Sequence, residues 1–183
     1  SGDRDLCIAK LDATGHYLWH TFYGSSGLDE AYAIAVDSAG NAVIGGYSAD
    51  EWLGPNGEFP LEPFHDKLSA PNGSDGILLK LNSEGAYRWH GFYGAPSSGS
   101  SESINDVVID DEDGIYVTGR TAGSWLTVSG TAPLHDGLLD DVFAMKLTPS
   151  GQHIWHTFWG NPAPQAGMDI ALDGAKDIFI ALT

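Results

Sequence analysis

The sequence predicts an all-β protein that contains three tandem copies of one four-stranded antiparallel unit. Related segments recur in the same order along the chain, and each is about six to eight residues long. The segments are rich in β-branched and aromatic residues and are bounded by Gly, Asn, Asp or Ser, which is typical of strands. A content of 24 glycines and 9 prolines among 183 residues is consistent with a chain that turns often.

The most regular segments contain the motif Asp-x-x-x-x-Lys-Leu followed by Trp-His. The Asp motif predicts the third strand of each unit and occurs at Asp5–Leu11, Asp75–Leu81 and Asp141–Leu147. The Trp-His segment predicts the fourth strand and occurs at Trp19–Gly24, Trp89–Gly94 and Trp155–Gly160. Asn82–Gly85 has the composition of a tight turn between these two strands.

Two further segments predict the first and second strands of the unit. The first strand is expected at Ala31–Asp37, Ser103–Asp110 and Met168–Asp173. The second strand is expected at Asn41–Ser48, Gly114–Thr121 and Asp177–Thr183. The short turn Asp37–Asn41 joins the first pair.

Four-stranded units that repeat in this way are typical of β-propeller blades. The chain begins with third and fourth strands and ends with first and second strands, so two blades are complete and one is split between the termini. We interpret residues 1–183 as a single propeller domain or a propeller segment. Three blades are too few for a ring, and two explanations remain: two copies close a six-bladed ring as a homodimer, or the chain belongs to a longer propeller.

These motifs, together with Ile34-Ala35-Val36-Asp37-Ser38-Ala39-Gly40-Asn41 and Gly46-Tyr47-Ser48, resemble the SBBP repeats of bacterial β-propellers. Phe59-Pro60 and Gly73-Ser74-Asp75 extend the resemblance. It implies a secreted, cell-surface or periplasmic bacterial protein with a structural, adhesive or binding role, and it provides no catalytic residues.

The charge balance restricts the class of partner. The chain has 25 acidic and 8 basic side chains, for a formal net charge of −17, which disfavours nucleic acid and anionic membranes as partners. No apolar segment approaches the roughly 20 residues that a membrane-spanning helix needs. Cys7 is the single cysteine, so no disulfide can form within the chain.

The predicted connections differ between the two faces of the unit. The first-to-second and third-to-fourth turns are tight, whereas long loops leave the opposite face, which is where we expect binding. Two of these loops share a tryptophan and a later His-Asp pair. Either the loop tryptophans pack onto the sheets or they form an exposed platform for protein or glycan, and the candidate ligand-binding residues are Trp52, Trp125, His65, Asp66, His135 and Asp136.

Acidic residues near the first strands suggest a second type of site. A ring of carboxylates at a channel mouth would bind a cation such as Ca²⁺, and the candidate ligands are Asp29, Glu30, Glu102 and Asp169. The acidic turn Asp110–Gly114 is a further calcium candidate, although it lacks EF-hand spacing and a solvated turn is the simpler interpretation. The favoured function is a non-enzymatic binding module, and the alternative is an enzyme or cation-binding propeller.

The remaining recurring residues predict structural roles. The fourth-strand tryptophans Trp19, Trp89 and Trp155 are expected to pack between neighbouring blades. The third-strand lysines Lys10, Lys80 and Lys146 suggest a repeated ion pair with an acidic residue that opens or closes a strand. The histidines His20, His90 and His156 are expected to make hydrogen bonds at the surface or between blades.

Overall fold

The computed structural model describes residues 4–65, 73–96, 101–127, 129–134, 141–160 and 163–183. Within these ranges the chain forms twelve β-strands and no helix. The strands are β1 (Leu6–Leu11), β2 (Tyr17–Tyr23), β3 (Asp29–Val36), β4 (Ala42–Ser48), β5 (Asp75–Leu81), β6 (Tyr87–Tyr93), β7 (Ser103–Ile109), β8 (Ile115–Thr121), β9 (Asp141–Leu147), β10 (His153–Trp159), β11 (Gly167–Leu172) and β12 (Ile178–Leu182). No helix that could span a membrane is found in the described part of the chain.

The strands pair in sequence order into four antiparallel sheets. Two of the sheets are complete units, β3-β4-β5-β6 and β7-β8-β9-β10. The hairpins β1-β2 and β11-β12 form two-stranded sheets at either end of the chain. The predicted repeat order is therefore confirmed: the chain has third and fourth strands first, two complete units next, and first and second strands last.

Apolar side chains fill the space between neighbouring sheets. One cluster lies between the two four-stranded sheets and contains Val43, Leu78, Ile104, Val107 and Phe143. A second cluster joins the β1-β2 hairpin to the sheet β3–β6. β7 packs against β3, β4 and β11, so the first strands of successive units lie on one side of the assembly.

Each first strand carries a β-bulge at the same position of the repeat. The register shifts at Tyr32 in β3, at Asn105 in β7 and at Met168 in β11. A bulge inserts one unpaired residue and bends the strand. The same feature in three units shows that the repeat preserves local geometry as well as strand order, although three different residue types occupy the position.

The fourth-strand tryptophans pack on the next unit, as predicted for two of the three. The ring of Trp19 lies where a Cβ on Gly85 would be, and the ring of Trp89 takes the same place beside Gly151. Both glycines have positive φ angles, 82° each, in the turn between the third and fourth strands. Glycine is therefore required there for two reasons, the backbone conformation and the approach of the ring.

Among the described residues, the predicted lysine ion pair occurs in one of the three units. Lys80 Nζ lies 2.8 Å from Asp37 Oδ2, and both side chains are buried. Lys10 donates to the Ser83 carbonyl at 2.9 Å, and Lys80 donates to Pro149 O, also at 2.9 Å. Lys146 instead lies 4.6 Å from the centre of the Tyr116 ring. The feature that recurs is thus a bond from the lysine to the turn of the next unit.

Candidate functional site

A cleft of about 550 Å³ opens at the face where the long loops leave the sheets. It lies between the units β3–β6 and β7–β10, and Tyr47 and Arg120 occupy equivalent positions of β4 and β8 on its walls. The bulge in β3 places Tyr32 at the cleft. Other lining residues include Leu28, Asp50 and Glu102.

Two tyrosines form the aromatic part of this cleft. The rings of Tyr32 and Tyr47 are tilted at 53°, with centroids 5.7 Å apart. The Tyr32 hydroxyl donates to Glu30 Oε2 at 3.2 Å. Burial and the Glu30 carboxylate raise the pKa of Tyr32 to about 12, and the same causes raise the pKa of Tyr47. Both phenols are therefore protonated at neutral pH, and both donate to the Glu30 carboxylate.

Charged groups of both signs surround the tyrosines. Arg4 forms a hydrogen-bonded ion pair with Glu30, and this bond is the largest cause of the lowered pKa of Glu30. Glu102 is buried and accepts a bond from the Ala122 amide at 3.3 Å. Arg120 is exposed at the cleft wall. The cleft can thus offer hydrogen-bond donors, acceptors and aromatic surface to one ligand.

The four predicted cation ligands do not form one ligand set. Asp29 is buried and accepts bonds from the Ser25 amide at 2.7 Å and the Ser25 hydroxyl at 2.8 Å, and it also bonds Ser48. Glu30 pairs with Arg4, whereas Asp169 is exposed on β11. The described residues contain no group of three or more His, Cys, Asp or Glu side chains that could hold a metal ion. Calcium binding stays a prediction without a built site.

A recurring junction explains why Asp29 and Glu102 are buried. Each begins a first strand, and its amide donates to the residue before the preceding third strand, Asp29 to Arg4 at 3.1 Å and Glu102 to Ser74 at 3.0 Å. Burial raises the pKa of Asp29, although hydrogen bonds from Ser48 and Ser25 oppose the rise. Sequence reasoning missed the partnership of Asp5 with this group, although Asp5 opens the repeated motif and its charge also raises the pKa of Asp29.

The loop tryptophans pack onto the sheets, as one of the two sequence alternatives stated. Trp52 is 7% exposed and Trp125 is 3% exposed. Trp52 stacks on His90 with centroids 4.0 Å apart and ring planes at 8°, and Trp125 stacks on His156 at 4.3 Å and 3°. The exposed-platform interpretation is therefore wrong for these rings, because each is covered by its histidine and by neighbouring aromatic groups.

Of the two His-Asp pairs in the long loops, the structure describes only His65. His65 is half-buried, and its amide donates to Asp75 Oδ2 at 2.7 Å. It also lines a second cleft of about 480 Å³, to which Trp125 and Leu126 contribute. Asp66, His135 and Asp136 lie outside the described residues. A ligand-binding role for this group stays a prediction.

The acidic turn after β7 forms ion pairs with a lysine from the next unit. Lys176 Nζ lies 3.3 Å from Asp110, 2.9 Å from Asp111 and 3.1 Å from Glu112. The bond to Asp111 is the largest cause of the raised pKa of Lys176. This contact supports the interpretation of the segment as a structural turn that links two units.

Comparison with known proteins yields one distant relative, and no family model matches the chain. The chain is 28% identical over 88% of its length to an uncharacterized WD repeat-containing protein of Acanthamoeba polyphaga mimivirus. It spans only 12% of the length of that protein. WD repeats build four-stranded propeller blades, which agrees with the strand order described above.

Proposed function

We propose that the chain is a non-enzymatic protein-interaction module of β-propeller architecture, and that its long-loop face binds a basic polypeptide segment. The cleft at Tyr32, Tyr47 and Arg120 is the observation that carries the proposal. The WD-repeat relative supports an interaction role, because propellers of this type present their loops and channel mouths to partners.

The composition of the cleft favours a polypeptide. Tyrosine and arginine are over-represented among the residues that contribute most to protein interfaces, since they combine a large contact area with hydrogen bonds. The Tyr32 and Tyr47 rings can stack on a ligand, and their oxygens can accept hydrogen bonds while their protons bond Glu30. The glycan alternative depended on exposed tryptophan rings, and Trp52 and Trp125 are buried.

The charge of the chain favours a basic partner. A net charge of −17 attracts cations and speeds the encounter with a basic segment. Dissolved salt screens this attraction and shortens its range. Acidic side chains at the cleft, Asp50 and Glu102, provide local acceptors. We expect the affinity to fall as ionic strength rises.

The proposal also concerns where the protein is located and how its propeller is completed. The SBBP resemblance supports a bacterial surface, extracellular or periplasmic module with an adhesive role. The outer edges of β1 and β12 have no neighbouring strand in the described part of the chain. We propose that a further polypeptide or a second copy pairs with these edges and completes a propeller. Light scattering on the purified chain distinguishes the two, because a homodimeric six-bladed ring has twice the mass of the monomer.

A peptide-display experiment tests the proposed binding face. A random-peptide library is selected against the purified chain, and enriched peptides are measured against three variants. We expect basic peptides whose affinity falls about tenfold or more with Tyr32→Ala or Asp50→Asn, and is unchanged with Glu84→Gln, an exposed acidic residue in the turn between β5 and β6. Equal binding to all three variants, or enrichment only on a glycan array, would remove the proposal.

A further inference from the structure

The two complete units share an aromatic arrangement that holds a loop tryptophan against the outer strand. In the first, Trp52 stacks on His90, whose Nε2 donates to the Trp52 carbonyl at 3.0 Å. Tyr87 and Phe92 complete the arrangement, because the Tyr87 hydroxyl bonds His90 Nδ1 at 2.7 Å and Phe92 meets Trp52 edge-on at 5.9 Å. His90 thus fixes both the ring and the backbone of the incoming tryptophan.

The second unit repeats the arrangement with different neighbours. Trp125 stacks on His156, and His156 Nε2 donates to the Trp125 carbonyl at 3.0 Å. His153 takes the place of the tyrosine and bonds His156 Nδ1 at 2.8 Å. Phe158 meets Trp125 edge-on at 5.4 Å. We call the strand histidine, its hydrogen-bond partner and the nearby phenylalanine a tryptophan cradle. Its geometry is the same in both complete units, and in both it holds a tryptophan.

The hairpin β1-β2 carries the same cradle without a tryptophan. The Tyr17 hydroxyl bonds His20 Nδ1 at 2.8 Å, and the His20 and Phe22 rings lie 5.3 Å apart, the separation found between His90 and Phe92. The exposed fraction of Phe22 is 57%, whereas Phe92 in the complete unit is 0% exposed. The cradle is therefore formed in advance, and its aromatic side chains face solvent.

The adjoining edge of β1 is also uncovered. In the complete units β4 pairs with β5 and β8 pairs with β9, whereas β1 pairs only with β2 in the described ranges. Cys7 and Ala9 are exposed, although the equivalent Ile77 and Leu79 are fully buried. A groove of about 270 Å³ runs between β1 and β3 beside this edge.

From these observations we infer that the β1-β2 hairpin is a docking site for a β-strand that is followed by a tryptophan. The strand pairs with the edge of β1, and the tryptophan stacks on His20. In both complete units the tryptophan is the fourth residue after the strand, as Trp52 follows Ser48 and Trp125 follows Thr121. The inference rests on the proposed propeller architecture, and it specifies the chemistry of one partner.

Trp52 and Trp125 do not fill this cradle themselves. Both are buried in their own sheets, and each is held by a stack and a hydrogen bond. A second copy could place β12 on the β1 edge, but its Trp52 and Trp125 would stay in place. The cradle therefore favours a different polypeptide segment over a second copy.

A synthetic peptide provides the test. Residues 113–127 contain β8 and Trp125, and their Asp113 and Arg120 cancel in charge, so the acidic chain does not repel the peptide. Binding of the dye-labelled peptide to the full chain is measured by fluorescence anisotropy. NMR follows the ring protons of His20, which shift upfield when an indole stacks on them.

We expect saturable binding that weakens about tenfold or more when the peptide carries Trp125→Ala or when the chain carries His20→Ala. His20 is exposed, as are its contacts Tyr17 and Phe22, so this variant keeps the fold. Arg120→Ala in the chain leaves the affinity unchanged, because Arg120 lines the cleft but not the groove beside β1, and this separates the two sites. Equal affinity for the peptide and its Trp125→Ala form, absence of binding, or a dimer mass by light scattering that the peptide cannot reduce would each overturn the inference.

Discussion

Lowering the pH from 7 to 5 should destabilise the chain through His90. This side chain is fully buried, and burial lowers its pKa to about 4. A carbonyl can only accept, so Nε2 donates to Trp52 and neutral Nδ1 accepts from Tyr87. Between pH 6.5 and pH 4 this histidine is protonated in the unfolded chain, whose histidine pKa is near 6.5, but stays neutral in the folded chain. The contribution of His90 to the free energy of unfolding is therefore fully present above about pH 6.5 and is lost as the pH falls towards 4.

The magnitude follows from the two pKa values. Between pH 7 and pH 5 the unfolded state gains nearly one proton at this histidine and the folded state gains almost none, which corresponds to a loss of about 2 kcal/mol. Burial also lowers the pKa of His156, so the whole chain should lose more than His90 alone accounts for.

Urea unfolding at the two pH values measures this loss. We expect His90→Phe to make the chain less stable at pH 7, because it removes two hydrogen bonds, but to reduce the pH-dependent loss by about 2 kcal/mol relative to the unsubstituted chain. His20→Phe is the matched control, since His20 occupies the equivalent position and is exposed. The reasoning is refuted if His90→Phe leaves the loss unchanged, or if His20→Phe reduces it equally.

Two pairs of substitutions, each a variant with its control, test the contacts between units, with urea unfolding at pH 7 as the measurement. Lys80→Met should cost about 3 kcal/mol, because it leaves a buried carboxylate unpaired. Lys10→Met should cost only about 1 kcal/mol, since Lys10 donates a hydrogen bond to the Ser83 carbonyl, and equal losses would contradict the ion-pair account. Gly15→Ala should cost about 1 kcal/mol through its positive φ alone. Gly151→Ala should cost about 1–3 kcal/mol more, because its Cβ would lie 2.6 Å from Leu61 Cδ1 and 2.8 Å from the Trp89 ring, and a cost no greater than that of Gly15→Ala would argue against this packing.

The strand order was predictable from the sequence because the repeat displays each strand three times in the same frame. The bulges were not, since Tyr32, Asn105 and Met168 share no side-chain chemistry. A bulge is set by how the backbone pairs with the neighbouring strand, and such pairing leaves little trace in residue type.

The stacking of loop tryptophans on strand histidines was visible only in part. Trp52 and His90 both recur, as Trp125 and His156, but 38 residues separate the first pair and 31 the second. The length of the loop differs between the two units although the contact is the same. The number of residues between a tryptophan and a histidine therefore could not predict that they stack. The cleft was also not predictable residue by residue, because Tyr47 and Arg120 meet there only after two units pack.

The third unit shows a further limit of pattern matching. Gly46 and Gly119 lie on second strands where a Cβ would come within 1.9 Å of a backbone oxygen of the first strand. In the third unit the equivalent residue is Leu182, so this glycine is not preserved. Its partner Gly167 serves a different contact, because a Cβ there would lie 2.1 Å from Thr118 Oγ1 of the preceding unit.

The central claim is that the long-loop cleft binds a polypeptide partner, and the affinity of a selected basic peptide for two acidic-residue variants tests it most directly. Asp50→Asn removes a carboxylate from the cleft wall, whereas Glu84→Gln removes an exposed carboxylate of the same charge from the turn between β5 and β6. Titration calorimetry should show affinity reduced about tenfold or more in the first variant and unchanged in the second. Equal affinities in the two variants would contradict the account.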